Sequence, residues 1–291
     1  MTVKAVIDRP QGGGNKMIRI ICAAMIFLAG TCAVLAQNPG DTSQRGSSVS
    51  NIPSDVVKDL APTGTLRAGI NLGNMVLAQK DEKTGEPKGI TVDLARELGR
   101  RLGVPVDLVR FDAAGKTFDG LKAGTLDIVF LAIEPVRAAE VAFTAPYVII
   151  EGVYLVPKDS ALKTVGDVDR AGVRVGVNKG SAYDLFLTRT LKQAQLVRGD
   201  SGIDLFVKDK LDAAAGVKQP LVAYAKTNPG VRVMDGRFME IQQAMGTPRD
   251  RDAGARYLRG FVEEMKGGGF VADALKRSNQ PDAAVAPPSA N

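Results

Sequence analysis

Between Thr65 and Met265 the chain switches repeatedly between a period of two and a helical period. Thr65–Ile70 alternates as a strand, and the run behind it, with Val92, Ala95, Leu98 and Leu102 on one face, reads as a helix. Thr91 is expected to cap that helix, Asp93 sits in its first turn, and Gly103 ends it. Val104–Val109 alternates again, Phe118–Ala123 reads as a short helix, and Leu126–Leu131 is an apolar run suited to a parallel strand buried on both faces. Glu151–Val156 closes the first set as a strand. After Pro157-Lys158-Asp159 a second set begins with strands over Gly172–Val177, Gln195–Arg198 and Leu211–Ala215 and a helix from about Ala182. Tyr257, Leu258, Phe261, Val262 and Met265 share a last helical face, stopped at Gly267-Gly268-Gly269. Alternating β and α elements restrict a chain to α/β architecture with mostly parallel sheets flanked by helices. Two such sets predict two lobes, with a ligand cleft between them at the carboxyl ends of the strands.

Composition narrows the chemistry. The 291 residues contain no His, which removes Ser-His-Asp and Cys-His catalysis and every His-ligated metal site. There is no Trp, and aromatics make up 5%, too few for a broad stacking platform on single-stranded nucleic acid. The net charge of +6 includes four basic residues and one acid up to Ala36, which leaves 34 basic and 31 acidic residues beyond it. No Lys/Arg cluster is denser than Arg100-Arg101, so a nucleic-acid partner is not expected.

Lys16-Met17-Ile18-Arg19 precedes an uncharged run from Ile20 to Leu35, and Val34-Leu35-Ala36 offers a small-residue cleavage site before Gln37. That is the form of a secretory signal peptide within a leader over 1–36, with Met17 as the expected start. The alternative, a membrane anchor, needs ~20 apolar residues, more than this run supplies. Both cysteines, Cys22 and Cys32, fall in the leader, so the exported chain has no thiol. Thr31 is unusual before a lipidated Cys, and a lipid anchor at Cys32 is not expected. Residues 37–60 are rich in Ser, Gly, Asn, Pro and Asp and read as a flexible linker, and 278–291 read as a disordered tail.

The stretch Leu66–Lys158 resembles the first lobe of the family 3 periplasmic solute-binding proteins, the amino-acid-type receptors of ABC importers. Leu66–Ile70 stands at the family's "LRVGV" and Gly89–Ala95 at "GFxxDLA". Leu121–Asp127 stands at "LxxGxxD", and Pro135–Arg137 with Phe143–Tyr147 at "PER…FSxPY". Gly176-Val177 with Gly180-Ser181 stands at "VGVxxGT", and Phe261-Val262 with Gly269 matches the last helix and its glycine. The resemblance implies two α/β lobes joined by two hinge crossings and closing on a small polar solute. The crossings are expected near Val156–Asp159 and Ile241–Gly246, which places lobe one at 61–156 plus 242–277 and lobe two at 157–241.

By the same resemblance, Arg137 is the arginine that grips a solute carboxylate, for which a guanidinium offers a charge-assisted bidentate fork. The alternative is a solvated arginine paired with Glu140. Gly180-Ser181 leads a strand into a helix start and is expected to turn backbone N–H groups to an anion, or simply to cap the helix. Several positions depart from the family pattern. Asn71 replaces its first-loop Asp and Asn74 its stacking aromatic. Ala113-Ala114-Gly115-Lys116 lies where a second aromatic wall belongs. Ala132 and Glu134 replace a Ser/Thr pair, and Val217, beside Lys218, replaces the Asp that receives an ammonium. Glu134 reads as a site residue or as the partner that orients Arg137; Lys116 and Lys218 read equally as site or surface lysines.

These residues imply a periplasmic binding component that hands a small solute to ABC permease and ATPase subunits, as a monomer and without a cofactor. With Arg137, Lys116 and Lys218 against Glu134 alone, the site would favour a small carboxylate or dicarboxylate over an amino acid. The missing aromatic walls argue against a long apolar side chain. Two rivals stand beside this reading: a dehydratase-like enzyme on the same fold, with Glu134 and Lys116 or Lys218 as its acid–base pair, and a sensor or accessory protein serving a membrane partner.

Overall fold

A computed structural model describes residues 52–289. The leader and the expected linker up to residue 51 lie outside the described residues. Helix α1 (Ser54–Leu60) occupies the last part of that linker, with Val56 and Leu60 buried. The Ser/Pro/Asp-rich composition hid a helix that seals lobe one: Asp59 accepts from the Gly254 N–H at 2.9 Å.

Strand β1 (Leu66–Asn71) is followed by the short strands β2 (Gln79–Lys80) and β3 (Pro87–Lys88) and helix α2 (Ile90–Leu102). Gly89, at φ +122°, caps α2, because a Cβ there would lie 2.5 Å from the Leu77 carbonyl oxygen. Thr91 therefore falls inside the helix and its hydroxyl donates to the Leu77 carbonyl. Strand β4 (Val106–Phe111), helix α3 (Ala114–Lys122), strand β5 (Ile128–Ala132), helix α4 (Pro135–Ala138) and strand β6 (Val141–Pro157) complete this part. All five residues of β5 are buried, as a strand covered on both faces requires.

The second lobe carries β7 (Arg174–Asn178), α5 (Ala182–Thr190), β8 (Gln195–Gly199), α6 (Gly202–Lys208), β9 (Ala213–Val217), α7 (Lys218–Thr227) and β10 (Val231–Val233). The chain returns through β11 (Met239–Pro248) to α8 (Asp252–Gly267), α9 (Phe270–Arg277) and β12 (Ala284–Val285). The strand order is β4-β1-β5-β11-β6-β9-β7-β8, with β10 and β12 also paired to β6. β1 pairs in parallel with β4 and β5, and β7 with β8 and β9, while β6 and β11 run antiparallel between the two sets. This is the expected two-lobed α/β fold. No helix among the described residues is long and apolar enough to cross a membrane.

Both passages between the lobes are strands. β6 pairs with β11 up to Gly152, then with β9 from Gly152 to Leu155. The first passage thus lies near Glu151–Val153, about five residues before the expected Val156–Asp159, and Val153–Val156 belong to lobe two. β11 pairs with β5 from Gln243 onward, so the second passage falls at Met239–Gln242. The expected tail at 278–291 is likewise corrected over 278–289, its last two residues lying outside the described ones. β12 pairs with Val148–Ile149 of β6, and Ala283 and Ala286 are buried.

Candidate functional site

A cavity of about 210 Å³ lies where the strands of both lobes end. Asn71 closes β1, Ala132 closes β5, Asn178 closes β7 and Val217 closes β9; all four line it, with Ile241 and Gln243 of the returning strand β11. Parallel strands send the loops that follow them to one side, which brings residues far apart in sequence into one cleft.

Arg137 lies at this cleft and is 1% exposed. Pro135 at the first helical position starts the four-residue helix that carries it. Its Nη1 donates to the Ala132 carbonyl (3.1 Å) in its own lobe, and its Nη2 to the Gly180 carbonyl (2.8 Å) in the other. Among the described residues no carboxylate forms an ion pair with it, so the Glu140 pairing is set aside. Burial pushes its pKa down to about 10, opposed by the charge of nearby Glu134, so it is a cation at neutral pH.

Gly180 has φ +71°, and a Cβ there would come within 3.1 Å of the Gly115 Cα. The lobes therefore touch backbone to backbone at this point. Three of the N–H groups at this helix start are already engaged. Gly180 N–H donates to Asp184 Oδ2 (2.9 Å), Ser181 N–H to the Asn178 carbonyl (3.1 Å), and Asp184 N–H to Ser181 Oγ (3.1 Å). The buried Asp184 carboxylate, from the first turn of α5, takes up the Gly180 N–H. Ser181 lines the cavity as the cap of α5; Gly180 serves it through its carbonyl.

Asn71 and Asn74 both line the cavity. Asn71 Oδ1 accepts from the Gly73 N–H (3.0 Å) and Asn74 Oδ1 from the Val76 N–H (3.3 Å). The other three candidates lie elsewhere. Glu134, buried, pairs across the lobes with Arg189 of α5. Lys116 is exposed and bonds Asp112 at 2.8 Å, one helical turn away. Lys218 bonds Glu151 at 2.6 Å, in a separate surface hollow that also holds Arg237. None of the three lines the cavity, so the proposed acid–base pair is not assembled and the expected charge balance changes.

Sequence reading missed Gln243, Asn178, Ser201, Phe130 and Tyr183, all on the cavity wall. Asn178 and Ser201 carried a signal: one ends a strand and the other caps a helix, where cleft residues gather. Phe130 and Tyr183 correct the expectation of missing aromatic walls, since they enter from a buried strand and a helix first turn. Burial pushes the Tyr183 hydroxyl up to about 12, so it stays neutral.

Comparison with known proteins agrees with the fold. The model of bacterial extracellular solute-binding proteins, family 3, matches residues 66–277. A glutamine-binding protein of Geobacillus stearothermophilus is 23% identical over 211 residues, 70% of this chain and 80% of its own length. The fold is similar to a solute receptor for L-cysteine of Neisseria gonorrhoeae, with a TM-score of 0.67 at 23% identity over 78% of this chain and 94% of that one. It is also similar to the ancestral amino acid-binding protein AncCDT-1, a precursor of cyclohexadienyl dehydratase. There the TM-score is 0.63 at 25% identity, covering 76% of this chain and 98% of that one.

Proposed function

The chain belongs to family 3 of the bacterial extracellular solute-binding proteins, and on that footing we propose that it is the binding component of an ABC importer, closing its lobes on a small carboxylate held by Arg137. The observation that carries this is a fully buried guanidinium at a cleft, with two carbonyls but no carboxylate bonded to it. A buried cation without a bonded carboxylate is costly, and a solute carboxylate supplies a directly paired charge in a water-poor cleft. Contacts from both lobes meet beside it, at Gly180 and at Glu134–Arg189, so lobe closure desolvates the ion pair as it forms. The leader over 17–36 would export the chain to the periplasm, with mature protein starting near Gln37, where it would act as a monomer on permease and ATPase partners.

Titration calorimetry on Arg137→Met tests the reading. Removing one partner of a desolvated charge pair should cost about 2–5 kcal/mol, a loss of ~30-fold or more in affinity. The free variant should melt no lower than the wild type, because a buried unpaired charge has been replaced by an apolar chain of similar length. Unchanged affinity for the natural solute would remove Arg137 from the site. Mass spectrometry of what dissociates from natively purified protein supplies that solute.

A further inference from the structure

Resting on the reading of the cleft as a carboxylate receptor, we propose that its solute is an organic acid without an ammonium group: one carboxylate, oxo or hydroxy oxygens, and an uncharged, partly apolar body. The charged residues on the cavity wall are Arg137, Lys179 and Asp112. Lys179 and Asp112 are exposed at its edge, and the Asp112 side chain is 72% exposed and bonded to Lys116. Arg137 is therefore the buried charge, and it is positive. The carboxylates nearest in the fold are engaged elsewhere: Glu134 with Arg189, Asp184 with Arg198 (2.8 Å), Glu151 with Lys218 and Arg237.

The uncharged polar groups on the wall point the same way. Asn71, Asn74 and Asn178 each spend the side-chain oxygen on a backbone N–H, of Gly73, Val76 and Gly202 respectively. Ser181 and Ser201 do the same toward Asp184 and Asp204. What these side chains keep wholly unshared is donors, the three amide nitrogens and the Ser201 hydroxyl hydrogen, beside one further lone pair on each oxygen. A donor-rich wall suits an acceptor-rich anion. An α-ammonium brings three more donors and a charge, and would find no anion to meet them. Gln243 is neutral, and an amide oxygen does not compensate a buried ammonium. Val217, Ala215, Ile241 and Leu221 line the remaining wall and favour an aliphatic body.

The experiment is a thermal-shift and calorimetry panel of matched pairs on the full exported chain: 2-oxo-4-methylpentanoate against leucine, 3-methyl-2-oxobutanoate against valine, and arginine alone. Ligands that bind only the native state raise its melting temperature with concentration. The expected result is stabilisation by at least one acid, with its amino-acid counterpart bound at least a hundredfold more weakly. An amino acid bound as tightly as its oxo acid overturns the inference, and so does silence from every acid. If the amino acid binds and Arg137→Met abolishes it, the carboxylate reading survives and only the ammonium-free claim falls. Binding that Arg137→Met leaves intact sinks both.

Val217→Asp adds the missing anion. Val217 is the N-cap of α7 and makes no side-chain cap bond, so Asp suits the fold there. It should weaken the acid at least tenfold and admit its amino-acid counterpart. An unchanged preference in that variant counts against the inference.

Discussion

Arg137 combines two properties that rarely coexist, a permanent charge and near-complete burial. Its pKa of about 10 lies below the free value of 12.5 because burial penalises the cation. Such a group destabilises the folded state while it is protonated, and that penalty eases as pH rises above about 10. Solute binding has the opposite dependence, since the carboxylate needs the protonated form. Affinity should be flat from pH 7 to about 9, then fall about tenfold per pH unit above about 10. Calorimetry across this range, with circular dichroism to confirm the fold, checks it. Undiminished affinity at pH 11 would mean that the guanidinium stays protonated there, and Arg137→Met then decides whether it holds the anion.

The two short helices on either side of the cleft, α4 and α5, are tied by Glu134 and Arg189, and this pair is asymmetric. The Glu134 side chain is 3% exposed and that of Arg189 is 42% exposed. Losing Arg189 strands a buried carboxylate, whereas losing the Glu134 charge leaves an arginine that water can still reach. Breaking a buried pair from the exposed side costs about 3–5 kcal/mol when the remaining charge stays dry. Arg189→Ala should therefore open the lobes and weaken solute binding by well over tenfold, and Glu134→Gln should cost much less. Calorimetry measures the affinities, and small-angle scattering of the free protein reads the opening. Wild-type affinity in Arg189→Ala would show that the pair does not hold the lobes together.

The carboxyl-terminal segment binds lobe one together over a long sequence distance. β12 adds an edge strand to β6, Ala286 N–H donates to the Tyr147 carbonyl (3.1 Å), and the buried Lys266 ammonium donates to the carbonyls of Pro146 (3.2 Å) and Pro287 (2.9 Å). Ending the chain at Gln280 exposes Ala283's neighbours on β6 and deprives Lys266 of one of its acceptors. We expect a loss of about 2 kcal/mol, or about 4–8 °C in Tm for a fold of this size, read by scanning calorimetry. Solute affinity should stay within a few-fold of wild type, because β12 meets β6 at Val148–Ile149, away from the cleft wall. A truncated chain that melts with the full one would make the segment dispensable.

Short-range patterns carried the fold. Alternation over Thr65–Ile70, the apolar run at Leu126–Leu131 and the face from Tyr257 to Met265 each report one element's surroundings, and all three emerge as elements. Arg137 was legible for the same reason: its flanking Pro135 and the motif around it are local. The first ten residues of β6 were not, since Pro146 suggests a break; the proline is accommodated at a register shift opposite Ala244. The tail and α1 were misread because polar composition reflects solubility, while their order comes from packing on elements 100 residues and more away. Charged candidates fared worst, because what a lysine or glutamate does depends on which opposite charge the fold brings within 3 Å. Asp112, Arg189 and Glu151 claimed Lys116, Glu134 and Lys218, and two of those three partners lie 55 and 67 residues distant in the chain. Long-range electrostatic pairing leaves no periodic trace in a sequence, and so the charge on the cleft wall was settled by tertiary contacts.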